Sequence, residues 1–305
     1  MRLVFMGTPA FAVPTLEALV AAGYEIAAVY TQPDRPKGRG QALALSPVKE
    51  AALRLGLPVE QPERVRRPEI VEQLRATKAD AMVVVGYGQI IPQSVIDLAP
   101  KGIINVHGSL LPKYRGAAPI QWAIARGESK TGVTTMKINA GLDTGDMLLK
   151  WETEIGAEET AIELGVRMAE AGAKLLIETL ARIDEIVPQK QNDAEATLAP
   201  ILKKEDGLID WASSAGEIHN RIRGFQPWPG GYTTFRGARF SIASARVAEG
   251  FGEPGVLRVE GKRLYAGCGV QRLELIEVQP EGKKRMPAAA FLNGYPAAEG
   301  ERLGL

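Results

Sequence analysis

The sequence predicts an α/β protein in two parts: a Rossmann-like N-terminal domain with a mostly parallel sheet, and a small C-terminal β-barrel of OB-like type. Three observations carry this expectation. Apolar runs of strand length alternate with amphipathic stretches of helix length as far as Ile183, and strand–helix–strand order favours a parallel sheet with right-handed crossovers. Periodicity is then lost to about Glu205, where Pro188, Gln189, Gln191, Asn192 and Pro200 gather. Beyond it, short strands recur between glycine-rich turns, which suits a small barrel. The predicted division is 1–183, a linker over 184–205, and 206–305.

In chain order, residues 2–6 form an apolar strand that Gly7-Thr8-Pro9 turns out of. A dinucleotide fold would place G-x-G-x-x-G at this turn; only Gly7 stands there, so NAD binding is rejected. A helix carrying Phe11, Leu16, Leu19 and Val20 ends at Gly23, and a strand spans Ile26–Thr31. Residues 32–45 read as a long loop bearing Arg35, Lys37 and Arg39 around Gly38 and Gly40; loops of that length in compact domains are often functional. Ser46-Pro47 opens a helix as N-cap and first residue. A short strand near Val59, a helix from Pro68 to Ala76 and an apolar strand ending at Val85 follow, the last suited to burial on both faces. Next come a strand over 103–107, a helix from about Ala117 to Arg126, a hairpin of 132–138 with 147–154 that adds an antiparallel strand, and a long helix from Thr160 to Arg182 with Leu164, Met168, Leu175, Leu176 and Leu180 inward. The C-terminal part opens with a helix over 215–223, whose His219 reads as structural or surface. Strands are expected at 231–235, 239–247, 255–259, 263–266 and 270–278.

Composition narrows the function. Hydrophobic residues make up 45% and charged residues 24%, which is ordinary globular usage. The net charge is +1, so a nucleic acid would have to be met through local patches. Residues 206–305, with 13 Lys+Arg against 11 Asp+Glu, do not by themselves announce RNA. A single cysteine, Cys268, excludes an internal disulfide framework, and two distant histidines make a poor metal set. No stretch is long and apolar enough to span a membrane, and the opening residues read as a strand, not a signal peptide. A cytoplasmic monomer with no membrane partner is expected.

The candidate site follows from position. Asn105 and His107 close their strand two residues apart, hence on one face, and ligands of open α/β sheets bind at the carboxyl ends of the strands. The turn Gly141-Leu142-Asp143-Thr144-Gly145-Asp146 adds carboxylates. Singly, each residue has a plain explanation: a strand-end histidine is commonly half-buried with one backbone hydrogen bond, and Asp between glycines shapes its own turn. Together they combine an amide donor, an imidazole and a proton acceptor.

Asn105-x-His107, Ser109-Leu110-Leu111-Pro112, Arg115-Gly116-Ala117-Ala118-Pro119-Ile120 and the 141–146 turn resemble the signature of the folate-dependent formyltransferases. The match runs nearly end to end. It takes in Gly7-Thr8-Pro9, the basic stretch Pro33–Gly40 and the late Arg223-Gly224-Phe225-Gln226-Pro227-Trp228-Pro229-Gly230, where Gly224 replaces an expected small residue such as Ala. The resemblance implies formyl transfer from 10-formyltetrahydrofolate to the α-amine of methionine on initiator tRNA, without a metal. It implies Asn105, His107 and Asp143 as the catalytic trio, Ser109, Leu110, Leu111 and Pro112 along the folate, and Gly86, Tyr87, Gly88, Gln89 and Ile90 around the pterin ring, chiefly through backbone groups. It also implies Arg35, Lys37 and Arg39 on the tRNA acceptor stem and a tRNA-binding C-terminal domain. Arg115 could serve the folate pocket or close its own loop by a salt bridge, and the second is expected. Formyltransferases acting on glycinamide ribonucleotide or on a sugar-nucleotide amine share the trio; the basic loop and the C-terminal part favour tRNA. A non-catalytic RNA-binding protein would leave the trio without a purpose.

Overall fold

The computed structural model describes residues 1–37, 42–298 and 300–304. β1 (Arg2–Gly7), α1 (Val13–Ala21), β2 (Glu25–Tyr30), β3 (Arg35–Lys37) and β4 (Ala42–Ala44) open the chain. α2 (Pro47–Arg54), β5 (Val59–Glu60), α3 (Pro68–Ala76), β6 (Ala81–Val85), α4 (Gln93–Ile96) and β7 (Ile103–His107) follow. Then come β8 (Arg115–Gly116), α5 (Pro119–Ala125), β9 (Lys130–Lys137), β10 (Met147–Glu154), α6 (Ala161–Ala181) and β11 (Leu198–Ala199). The remainder holds α7 (Ala215–Gly224), β12 (Gly231–Phe235), β13 (Ala238–Ala248), β14 (Leu257–Glu260), β15 (Arg263–Gly267), β16 (Arg272–Pro280), β17 (Met286–Pro287) and α8 (Ala288–Gly294). These elements form two compact units: residues 1–119, 131–153 and 165–200, and residues 120–130, 154–164 and 201–305.

The first unit is built on a sheet of order β10-β9-β7-β6-β1-β2-β5. Its pairs from β5 to β7 are parallel, and β9 runs antiparallel to β7. From β1 the chain moves outward through β2 to β5, then crosses to β6 on the other side of β1 and outward again to β7. The strand order therefore reverses between β1 and β6, the place where open α/β sheets form a ligand crevice. β6 and β7 are buried along their whole length, as continuous apolar runs require. Val106 points to the face covered by α6, where Gly172 lies so near that a β-carbon there would sit 2.9 Å from the Val106 Cγ1. α6 buries Leu164, Met168, Leu175, Leu176 and Leu180, each worth about 1.5–3 kcal/mol. Strand alternation then fixes Asn105 and His107 to the opposite face.

Two segments differ from expectation. Within 32–45 the described residues form a hairpin, with Arg35 opposite Ala44 and Lys37 opposite Ala42; three-residue strands are too short to leave an alternation signal. At its base Lys49 pairs with Asp34, and Gln61 donates to the same carboxylate. The two hydrogen bonds, Lys49's first, hold Asp34 below the usual carboxylate range. The segment read as a linker is partly stitched into the first unit. Gln189 bridges to Met147, and β11 pairs in parallel with β8.

The second unit carries an antiparallel sheet of order β12-β13-β16-β15-β14, with β17 on β16. Among the described residues no ladder joins its edge strands β12 and β14. Phe235, Phe240 and Phe291 cluster with centroids 5.1–5.6 Å apart over a core that includes Trp211, Leu264 and Leu273. Cys268 is buried there, and burial pushes its thiol up to about 12. α7 starts with a reciprocal Ser214–Glu217 cap. Its Gly224 is not a loose substitute for Ala: a β-carbon there would lie 2.8 Å from the Ala125 nitrogen.

Candidate active site

The carboxyl end of β7 delivers Asn105 and His107, both buried. Asp143 comes from the turn between β9 and β10. It takes a left-handed φ of 50°, which Asp accepts more readily than most residues. Its carboxylate is held from three sides. Oδ2 accepts the Gly116 backbone N–H at 2.9 Å, Asn105 Nδ2 donates to Oδ1 at 3.4 Å, and His107 Nδ1 lies 3.7 Å from Oδ2. The structure thus brings Asn105, His107 and Asp143 together around one small volume.

The imidazole is oriented from behind. Its Nε2 lies 2.9 Å from the Tyr114 carbonyl oxygen, and a carbonyl only accepts, so Nε2 carries the proton. Nδ1 is then the nitrogen turned toward Asp143 and the reaction volume. The strand-end histidine makes the backbone hydrogen bond of its plain reading, and it does so with the ring edge that chemistry leaves unused.

The loop between β7 and β8 is braced by its own atoms. Ser109 is fully buried and donates to the Lys113 carbonyl at 2.6 Å, while Thr134 Oγ1 links the Ser109 carbonyl to the Leu111 N–H. Leu111 packs with Met136 and Met147. Pro112 is buried, Leu110 half-buried. Arg115 is buried and closes its loop, donating to Asp193 at 2.7 Å and to Gln191 Oε1 at 3.0 Å.

The second loop leaves β6 through Gly86 and Gly88, both at positive φ. The Tyr87 carbonyl accepts from Thr8 Oγ1 and Gln32 Nε2, and its ring is buried with a hydroxyl that has no hydrogen-bond partner. Burial pushes that hydroxyl well above the usual tyrosine range. Gln89 bonds the Val65 N–H and the Pro62 carbonyl, and Ile90 stands 89% exposed. Arg35 is exposed at the hairpin stem. Lys37 contributes its backbone to β3, and Arg39 lies outside the described residues. Among the described residues no cluster of three or more His, Cys, Asp or Glu is arranged to hold a metal, and no helix is long and apolar enough to cross a membrane.

Sequence reasoning missed Thr197 and gave Gln191 no role beyond a polar linker. Thr197 Oγ1 accepts the Tyr114 N–H at 2.9 Å. Gln191 Nε2 donates to the carbonyls of Asp143 and Gly145 at 2.7 and 2.8 Å. Neither lies in a periodic stretch, so no pattern singled them out.

Comparison with known proteins gives the family. The sequence profile described as formyl transferase matches residues 1–180, and that described as formyl transferase, C-terminal domain, matches 201–296. A protein of Solibacter usitatus named methionyl-tRNA formyltransferase is 65% identical, over all of this chain and 99% of its own. One of the same name from Koribacter versatilis is 61% identical over 100% and 99%. In fold, an N-formyltransferase of Helicobacter canadensis, solved with folinic acid and dTDP-3-aminofucose, superposes with a TM-score of 0.67 at 19% identity, covering 92% of this chain and 99% of that one. Methionyl-tRNA formyltransferase of Clostridium thermocellum superposes at 0.58 and 19% identity, over 81% and 94%. With both profiles and full-length relatives in accord, the chain belongs to the formyl transferase family, in the branch of the methionyl-tRNA formyltransferases.

Proposed function

We propose that this chain transfers the formyl group of 10-formyltetrahydrofolate to the α-amino group of methionyl initiator tRNA for translation initiation, as a cytoplasmic enzyme. The observation that carries the reading is the meeting of Asn105, His107 and Asp143 at the carboxyl end of β7. The full-length relatives' names support the acceptor. Residues 1–183 are the catalytic domain, 184–205 the connecting segment, and 206–305 a tRNA-binding domain of OB-like design. Arg35, Lys37 and Arg39 meet the acceptor stem.

The folate fits the rim of the sheet. Gly86 and Gly88 leave the 86–90 backbone open to a flat ring, with Ile90 standing exposed beside it. Residues 109–112 form a rigid wall beside the trio, because their polar groups are already satisfied internally.

The amine attacks the formyl carbon, and negative charge gathers on the former carbonyl oxygen. Asn105 Nδ2 offers a neutral donor to that oxygen; any proton His107 offers sits on Nδ1, since Nε2 is bound to Tyr114. Asp143, held by Gly116, takes the proton the amine gives up, and the proton passes to the donor nitrogen as its bond to carbon breaks. Removing one preorganised donor of this kind costs roughly 100- to 1,000-fold in rate.

The test is formyl transfer by the purified protein, with methionylated initiator tRNA set beside methionylated elongator tRNA and glycinamide ribonucleotide. Rapid transfer to the first alone is expected. Asn105→Ala should lower kcat about 100- to 1,000-fold while tRNA affinity holds. Transfer to the small amine alone would overturn the acceptor assignment.

A further inference from the structure

We infer that Gln191 is a positioning residue of the active site, holding the Asp143 turn at the angle that aims its carboxylate at the reacting amine; the inference rests on the formyl-transfer reading above. Asp143 sits at a left-handed φ in a turn bracketed by Gly141 and Gly145. Such a turn has little intrinsic preference for one geometry, and the aim of the carboxylate depends on what grips the backbone. Within the turn, Asn139 Oδ1 accepts the Gly141 N–H and the Thr144 hydroxyl; the grip on the backbone carbonyls flanking the carboxylate comes from Gln191. Gln191 Nε2 donates to both the Asp143 and the Gly145 carbonyl oxygens, at 2.7 and 2.8 Å.

The far side of the same carboxamide is fixed too. Its Oε1 accepts from Arg115 Nε at 3.0 Å, and Arg115 is tied to Asp193. Arg115 is followed by Gly116, whose N–H holds the Asp143 carboxylate itself. One ring of contacts therefore runs from the Asp143 backbone through Gln191 and Arg115 to Gly116 and back to the Asp143 side chain. The position needs two donors on one end and an acceptor on the other. A carboxamide supplies both, a carboxylate only acceptors, an ammonium only donors. Backbone pairing on both sides, Gln189 with Met147 and Leu198-Ala199 with Arg115-Gly116, keeps Gln191 in reach.

The inference separates from ordinary structural support by what changes. Gln191→Glu keeps the shape and the Arg115 contact but turns both donors into acceptors facing carbonyls. Gln191→Leu removes the polar end. Each variant is assayed for single-turnover rate, for KM toward both substrates and for thermal unfolding, alone and in the Asp143→Ala background. In the wild-type background kcat should fall about 100-fold, the loss typical of a displaced catalytic group, with both KM values within about threefold. In the Asp143→Ala background the same changes should add almost nothing. An unchanged kcat, a loss confined to KM, a full additional loss without Asp143, or failure of both variants to fold would overturn the inference. Absence of formyl transfer in the unaltered protein would instead sink the reading beneath it.

Discussion

At the scale of single residues, the placing of Asn105 and His107 was legible, because two-residue spacing at a strand end leaves one geometry. Which imidazole nitrogen serves chemistry was not. It depends on the Tyr114 carbonyl, and Tyr114 adopts a left-handed φ of 61° that no tyrosine advertises. Tyr87 shows the same limit. The resemblance set its backbone beside the pterin ring, and nothing in the sequence told that its own ring is buried with a hydroxyl that bonds nothing. A buried unsatisfied hydroxyl costs about 1–3 kcal/mol, and replacing it by an apolar group of the same shape recovers part of that. Tyr87→Phe is accordingly expected to leave stability unchanged or raise it by about 1 kcal/mol, with the KM for folate unmoved, since the Tyr87 carbonyl is kept. Denaturant midpoints and initial rates check both.

At the scale of elements, those with a strong local code were readable. Ser46 caps α2 through the Lys49 N–H, and Pro68 begins α3, as proline at the first turn signals. Of the two-residue pieces, β5 was expected near Val59 but β8, β11 and β17 were not, being below the length at which alternation means anything. Yet β8 and β11 carry a tight backbone approach near the site. Gly116 has φ 124°, and a β-carbon there would lie 2.5 Å from the Ala199 carbonyl oxygen. Gly116→Ala would suffer both the strain and the clash, so a loss of about 1–3 kcal/mol is expected. Formyl transfer should fall with it, because the Gly116 N–H that binds Asp143 must shift. A variant as stable and active as the unaltered chain would show that β8 and β11 are free to separate.

For the whole molecule, the parallel order around β1 was predictable from strand–helix alternation. The polar contacts inside the second unit were not. His219 read as structural or surface; it is buried, with Nε2 3.4 Å from Glu158 and with Arg223 and Arg246 nearby. Burial lowers its pKa from the ordinary 6.5, against the pull of Glu158. The unfolded chain then takes the proton first. The contribution to stability is complete above 6.5 and is lost as pH falls through the folded value. Thermal midpoints measured between about pH 7.5 and pH 5.5 should drop more for the unaltered protein than for His219→Gln. Equal drops would place the acid-sensitive group elsewhere.

The stretch after α6 also has a consequence for how such chains drift in length. Gln191 is fastened to the Asp143 turn and Leu198 to Arg115, so the residues between them act as a ruler. One residue more or fewer would slide Gln191 off its carbonyls or Leu198 off its partner. Over evolutionary time, insertions and deletions would be purged inside this ruler and accumulate just outside it. A segment with nothing but loop composition would then keep count as strictly as a helix.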